Sequence, residues 1–225
     1  MHVLDNPIYH SLITGHLSFA KETGEVSYYQ EDIAPFAGLK DNSKENFETL
    51  RKNSAPKSTF VVFTPVAYDL PKGWELATHI DMFQMVYEHK TAPTGDDEFE
   101  NLNETHVDEM IELVKLTQPG PFKSKTIVLG NYTGVFREQK LVAMAGHRFN
   151  PKPYVEISAV CTHPDHLGNG YAYGLLREQI KRILDSAQIP FLHVRNDNVA
   201  AVKLYQKLGF GIRTEMIAYV LKKIG

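Results

Sequence analysis

At 225 residues and 25.5 kDa the chain exceeds an ordinary domain of about 100–150 residues and falls short of three. With 43% hydrophobic and 23% charged residues, eleven Tyr and twelve Phe, it has ample side chains to bury, which excludes a disordered or low-complexity scaffold. One cysteine, no secretory pattern at the start, no apolar run near the roughly 20 residues of a membrane span and a net charge of −3 lead us to expect a cytoplasmic protein that binds neither membranes nor nucleic acid.

In chain order, Asp5-Asn6-Pro7 predicts a short helix with proline in its first turn, and Glu25 to Tyr29 a strand. Asn42 or Ser43 opens a helix to about Leu50, Ser58 to Thr64 reads as a buried strand, and Glu75 to Glu88 holds another. Lys90 to Asp97, with Pro93, Gly95 and paired acids, predicts a linker, dividing the chain into an α+β half over residues 1–95 and a second unit over 96–225. Beyond it come a short strand at Phe99–Leu102, a helix from Thr105 that Gln118-Pro119-Gly120-Pro121 ends, and a hairpin of Gly134–Arg137 with Leu141–Phe149. A strand from Val155 to Thr162, a helix carrying Leu175, Leu176, Ile180, Ile183 and Leu184 on one stripe, a strand at Phe191–Arg195, a helix at Asn198–Leu208 and a strand at Arg213–Leu221 complete the order. The class is α+β.

The strand ending at Thr162 runs into a loop with Gly168 and Gly170, and an amphipathic helix starts at once. A helix's first turn has unpaired N–H groups and a partial positive charge, and glycine admits a ligand close to the main chain, so this junction suits a phosphate or pyrophosphate. A plain strand-to-helix turn fits the same residues. Residues 151–225 hold ten Lys and Arg against six Asp and Glu, leaving fourteen against twenty-one for residues 1–150, which fits an anionic ligand in the later part or ordinary solvated helix faces. Gly168, Gly170 and Gly174 also spell a G-x-G-x-x-x-G variant of a dinucleotide loop, but Tyr173 stands where the third glycine belongs and only 51 residues follow Gly174.

The order of strand, glycine loop, helix, strand and short helix, with Thr162-His163-Pro164-Asp165-His166 before the loop, resembles the GNAT superfamily of acyl-CoA-dependent N-acyltransferases. Asn198-Val-Ala-Ala201-Val-Lys-Leu204-Tyr205-Gln-Lys-Leu-Gly209-Phe210 matches that family's N-x-x-A-x-x-L-Y-x-x-x-G-F pattern at every fixed position. The resemblance covers roughly residues 98–225 and extends loosely to the first half as a degenerate copy without a glycine loop. It implies a mixed central sheet flanked by helices, acetyl-CoA as acyl donor, and a small-molecule or peptide amine as acceptor. Over Gly168, Asn169, Gly170, Tyr171 and Ala172 it implies main-chain binding of the pyrophosphate, with Leu167 standing where the family has Gln or Arg. It also implies that Val160, Cys161 and Thr162 pair with the pantetheine arm, that Asn198 touches it, and that Tyr205 protonates the departing thiolate.

Acylating an amine needs a neutral nucleophile and a protonated leaving thiolate, and with an ammonium pKa near about 10 and a thiol near about 8.5 one base and one acid are useful. Glu156, eleven positions before Leu167, is the ionisable residue of its strand, at an offset where some GNAT enzymes carry a glutamate base, often acting through water; a solvent-facing or salt-bridged glutamate is the other reading. Tyr205 stands seven residues after Asn198, which puts the two about 20° apart on one helix face. Cys161 reads as a small buried hydrophobe rather than a nucleophile. His163 and His166 lack a third ligand at a metal-binding spacing, so no metal is expected, and no G-x-S-x-G elbow supports a hydrolase. A catalytically silent acyl-CoA-binding module is the alternative from another class. The aromatic first half either docks on the second to shape the amine site or forms an independent domain or homodimer interface.

Overall fold

The computed structural model describes residues 2–95 and 97–224. Proline occupies the first position of α1 (Pro7–Leu12), where its missing N–H costs no helical bond, and Asn6 before it gives its amide to the Leu39 carbonyl at 2.6 Å. β1 (Ala20–Thr23), β2 (Val26–Tyr29) and β3 (Ala37–Leu39) form a small antiparallel sheet. The Ser43 hydroxyl caps α2 (Lys44–Asn53) by accepting from the Asn46 N–H, and two strands follow, β4 (Thr59–Thr64) and β5 (Trp74–Tyr87).

The described residues of the expected linker carry neither helix nor strand; Asp96 lies outside them. Then come β6 (Glu100–Asn101), α3 (Val107–Thr117), β7 (Thr133–Arg137), β8 (Lys140–His147), β9 (Tyr154–Thr162), α4 (Tyr171–Asp185), β10 (Ile189–Arg195), α5 (Val199–Leu208) and β11 (Phe210–Lys223). Gln118 ends α3 in the left-handed conformation, φ 50°, with its N–H on the Val114 carbonyl.

β4 to β11 make one sheet in the order β4–β11–β5–β10–β9–β8–β7–β6, in which β9 and β10 are the parallel pair and every other pair is antiparallel. β5, from the first half, lies between β10 and β11, from the second. The division at residue 95 does not separate two sheets: β4 and β5 of the first half share the large sheet with the strands of the second, while β1, β2 and β3 form the small one. Thirteen Cα pairs from Phe210↔Tyr87 to Lys223↔Trp74 join β11 to β5, so neither half can bury its strands alone.

Helices α4 and α5 cover one face, where Leu176, Ile180 and Ile183 pack on Val155, Ile157, Leu192, Val194 and Phe210. On the other face lie α1, the small sheet and α3, with Ile8, Tyr29 and Phe36 against Phe63, Met82 and Phe149, and Met110 and Leu113 against Met144 and Cys161. An isolated six-residue helix such as α1 is unstable in water. Burial of Ile8 and Leu12, at roughly 1.5–3 kcal/mol per large apolar side chain, is what fixes it.

Candidate active site between β9 and β10

β9 and β10 pair only from Ile189↔Tyr154 to Phe191↔Glu156 and then separate. Ala159, a non-glycine residue at φ 52°, faces a register shift between Met144 and Gly146 in β8, so β9 carries a bulge where it leaves its neighbour. The gap opens into a cavity of about 450 Å³. Val160, Cys161, Thr162, Asn198 and Tyr205 of the second half line it, together with Phe36, Val61, Phe63, Ile80 and Met82 of the first half and Arg148.

Gly168 and Gly170 adopt φ 80° and 77°, conformations that side chains resist, and a β-carbon built on either meets no neighbouring atom within 4 Å. The main-chain N–H groups from Gly168 through Tyr173 have no hydrogen-bond partner among the described residues, and Gly174 resumes bonding with the Gly170 carbonyl at 3.0 Å. This open run of donors at the start of a fifteen-residue helix fits a pyrophosphate. Asn169 gives its side-chain amide to the His166 carbonyl at 3.0 Å, and the Tyr171 hydroxyl accepts from Arg137 Nε at 2.9 Å, so both residues offer the loop their backbones. Ala172 follows in the first turn and Leu167 projects into solvent, 66% exposed, adding no polar contact. Gly174 admits the Phe99 ring, whose tip would stand 2.8 Å from a β-carbon there, so it serves packing rather than the loop.

Thr162, at the end of β9, has a buried hydroxyl without a partner among the described residues, a polar atom available to a ligand in the cleft. Asn198 caps α5, its side-chain oxygen accepting from the Ala201 N–H at 3.2 Å, which leaves its NH₂ uncommitted. Tyr205, two turns further along α5, is buried and packed on Phe210, and desolvation pushes its phenol up to about 12. The Cys161 side chain points into the α3 cluster, and burial pushes its thiol up to about 11, so it is a packing residue with a cleft-facing backbone.

Glu156 takes the salt-bridged reading. Fully buried, it accepts from Arg148 Nε at 2.7 Å and Nη2 at 2.5 Å, and from His193 Nδ1 at 2.6 Å. Burial alone would raise its pKa, but the Arg148 charge and these donors outweigh it and hold the carboxyl down to about 2. A carboxylate that weakly basic, with both oxygens occupied and outside the cavity lining, is a poor proton acceptor, so the geometry favours the salt-bridged reading of Glu156 over the base. Sequence reasoning missed Arg148 and His193. The signal for His193 was a histidine inside the apolar run Phe191-Leu192-His193-Val194; Arg148 becomes visible only through the strand register that sets it beside Glu156.

Among the described residues no group of three His, Cys, Asp or Glu side chains could hold a metal ion, and no helix is long and apolar enough to cross a membrane. A bulged strand, a parallel partner that splays from it and a glycine loop opening the helix between them define an acyltransferase-type fold. The profile of the family described as FR47-like protein matches residues 132–218. A GNAT-family protein from Novosphingobium aromaticivorans is 30% identical over 100% of both chains, with a TM-score of 0.93. The chain therefore belongs to the GNAT family. A GCN5-related N-acetyltransferase from Kribbella flavida (15% identity, 97% of this chain and 96% of that one, TM-score 0.62) and a GNAT-family acetyltransferase from Colwellia psychrerythraea (16%, 86% and 75%, TM-score 0.54) share the fold. No curated protein matches the sequence.

Proposed function

We propose that the protein transfers an acetyl or other short acyl group from acyl-CoA to a primary amine by direct attack in the cleft between β9 and β10. The observation that carries this is the unpartnered run of N–H groups from Gly168 through Tyr173 at the mouth of a splayed parallel pair. The donor supplies an activated thioester. The loop N–H groups hold its pyrophosphate, the edge of β9 from Val160 to Thr162 and the free NH₂ of Asn198 receive the pantetheine arm, and the Tyr205 hydroxyl returns a proton to the departing thiolate. A phenol pushed up to about 12 stays protonated at neutral pH, so Tyr205 meets the leaving sulfur as a hydrogen-bond donor, and the proton that the amine releases to water replaces the one the sulfur takes up.

The cavity lining contains no carboxylate among the described residues. On this reading the amine enters neutral or passes its proton to water, and turnover rises with pH toward the amine's own pKa. The protein is incubated with acetyl-CoA and a panel of amines, and thiol release is followed. Amine-dependent release supports transfer; acetyl-CoA binding without release for any amine favours the silent binding module instead.

A further inference from the structure

The cavity wall built by Phe36, Val61, Phe63, Ile80, Met82 and Ala218 is apolar, and two arginines also line the cavity: Arg195, which is paired with Asp197 at 2.8 Å, and Arg148. Arg148 is held from behind: Nε and Nη2 fork onto Glu156, and the guanidinium carbon lies 5.3, 5.5 and 4.9 Å from the ring centroids of Phe36, Phe63 and Phe149. Its remaining nitrogen, Nη1, has no hydrogen-bond partner among the described residues and stands near Gly120, where a β-carbon would lie 3.8 Å from it. The fork and the three rings fix the guanidinium plane, so Nη1 presents its N–H bonds in one direction, beside the Ser158 and Gly120 lining.

We propose that Arg148 Nη1 is the specificity contact for the acyl acceptor, and that the acceptor is an apolar primary amine bearing an uncharged carbonyl oxygen, of the amino-acid amide type. This rests on the transfer reading above. The apolar walls select the body of the molecule, and burying an unmatched N–H donor against them would cost about 1–3 kcal/mol, which an oxygen acceptor relieves. The charge balance selects the kind of oxygen. Glu156 already neutralises Arg148, and His193 has its Nδ1 committed to the same carboxylate, so a free carboxylate would bring a second negative charge to a guanidinium with none left to balance.

The test compares phenylalaninamide, phenylalanine and phenethylamine in the wild type and in R148M/E156Q, which removes both charges together and strands neither. A Lys variant, R148K, keeps the charge but lacks the forked nitrogen. The expected result is that the kcat/KM ratio of phenylalaninamide to phenethylamine, in which amine basicity cancels between proteins, falls at least tenfold in both variants. An unchanged ratio overturns the proposal. So does a loss confined to the phenylalanine ratio, since that would mark a carboxylate site. If the wild type releases no thiol with any amine, the transfer reading fails, and calorimetric titration of phenylalaninamide into the CoA-saturated proteins decides: binding lost in the variants supports the contact, and equal binding overturns it.

Discussion

Gln84 and His193 stand opposite one another on β5 and β10, and the Gln84 amide nitrogen lies 3.0 Å from His193 Nε2. An amide nitrogen only donates, so the imidazole accepts there and gives its Nδ1–H to Glu156, which makes it the neutral tautomer. The same amide nitrogen donates to the Leu4 carbonyl at 2.8 Å, while the Gln84 oxygen accepts from Arg213, which pairs with Asp5 at 2.7 Å. A polar chain, buried from Gln84 onward, thus runs from Asp5 through Arg213, Gln84, His193 and Glu156 to Arg148, crossing between the two halves of the sequence three times. It gives the imidazole no open lone pair, so His193 orients Glu156 rather than moving the amine's proton.

The interleaved sheet predicts that residues 96–225 expressed alone are insoluble or unfolded. Without β5, β10 and β11 lose the strand that both pair with, and Phe191, Met216 and Ala218 lose their cover. A soluble, active fragment would contradict the single-sheet account.

Glu156→Gln should lower stability by about 3–5 kcal/mol, because Arg148 stays charged among phenyl rings without its counter-ion. Urea unfolding measures this, and whatever turnover remains should keep the wild-type dependence on pH. A stable variant whose lost turnover returns at high pH would restore Glu156 as the base.

Tyr205→Phe removes a hydroxyl that bonds to no described residue and keeps the ring against Phe210. Thermal stability should change little while turnover drops by about 10–10³-fold. Equal turnover would leave Tyr205 a packing residue.

Acid should destabilise the protein in two stages. Burial holds His16 and His147 down to about 4 against an ordinary value of 6.5, and lowers His193 as well, so the unfolded chain binds more protons as pH falls below 6.5. Stability is full above that value and is lost at up to about 1.4 kcal/mol per pH unit for each such histidine down to their folded pKa. Glu156, held down to about 2 against 4.5, adds a second loss between those values. Urea midpoints at pH 7, 5.5 and 4.5 should decline steadily; a flat profile would contradict neutral buried histidines.

Local sequence made most of the elements legible, since capping, glycine and period are short-range signals. Ser43 marked the start of α2, the strand at Thr59–Thr64 lay within one residue of its expected bounds, and the phosphate-type loop stood out through Gly168 and Gly170. β1 (Ala20–Thr23) was silent because a half-exposed edge strand of Ala-Lys-Glu-Thr has no apolar alternation, and three-residue β3 is too short to show one. Strand order was also hidden: nothing in the run from Trp74 to Tyr87 says that it pairs with residues more than a hundred positions later. For that reason Phe36, Phe63 and Arg148 of the cleft escaped the sequence reading, while Val160, Cys161, Thr162, Asn198 and Tyr205, which line the same cleft, stood in motifs that local sequence displays.

The most direct test is a calorimetric titration of acetyl-CoA into the wild type and Gly170→Glu, with NADPH as control. The glutamate would stand in the open space before the unpartnered N–H groups, repel the pyrophosphate and strain a residue at φ 77°, at a folding cost of about 1 kcal/mol. The account predicts one acetyl-CoA bound per wild-type chain, no NADPH binding, and no acetyl-CoA binding by a folded Gly170→Glu. Unchanged acetyl-CoA affinity in that folded variant, or none in the wild type, would contradict it.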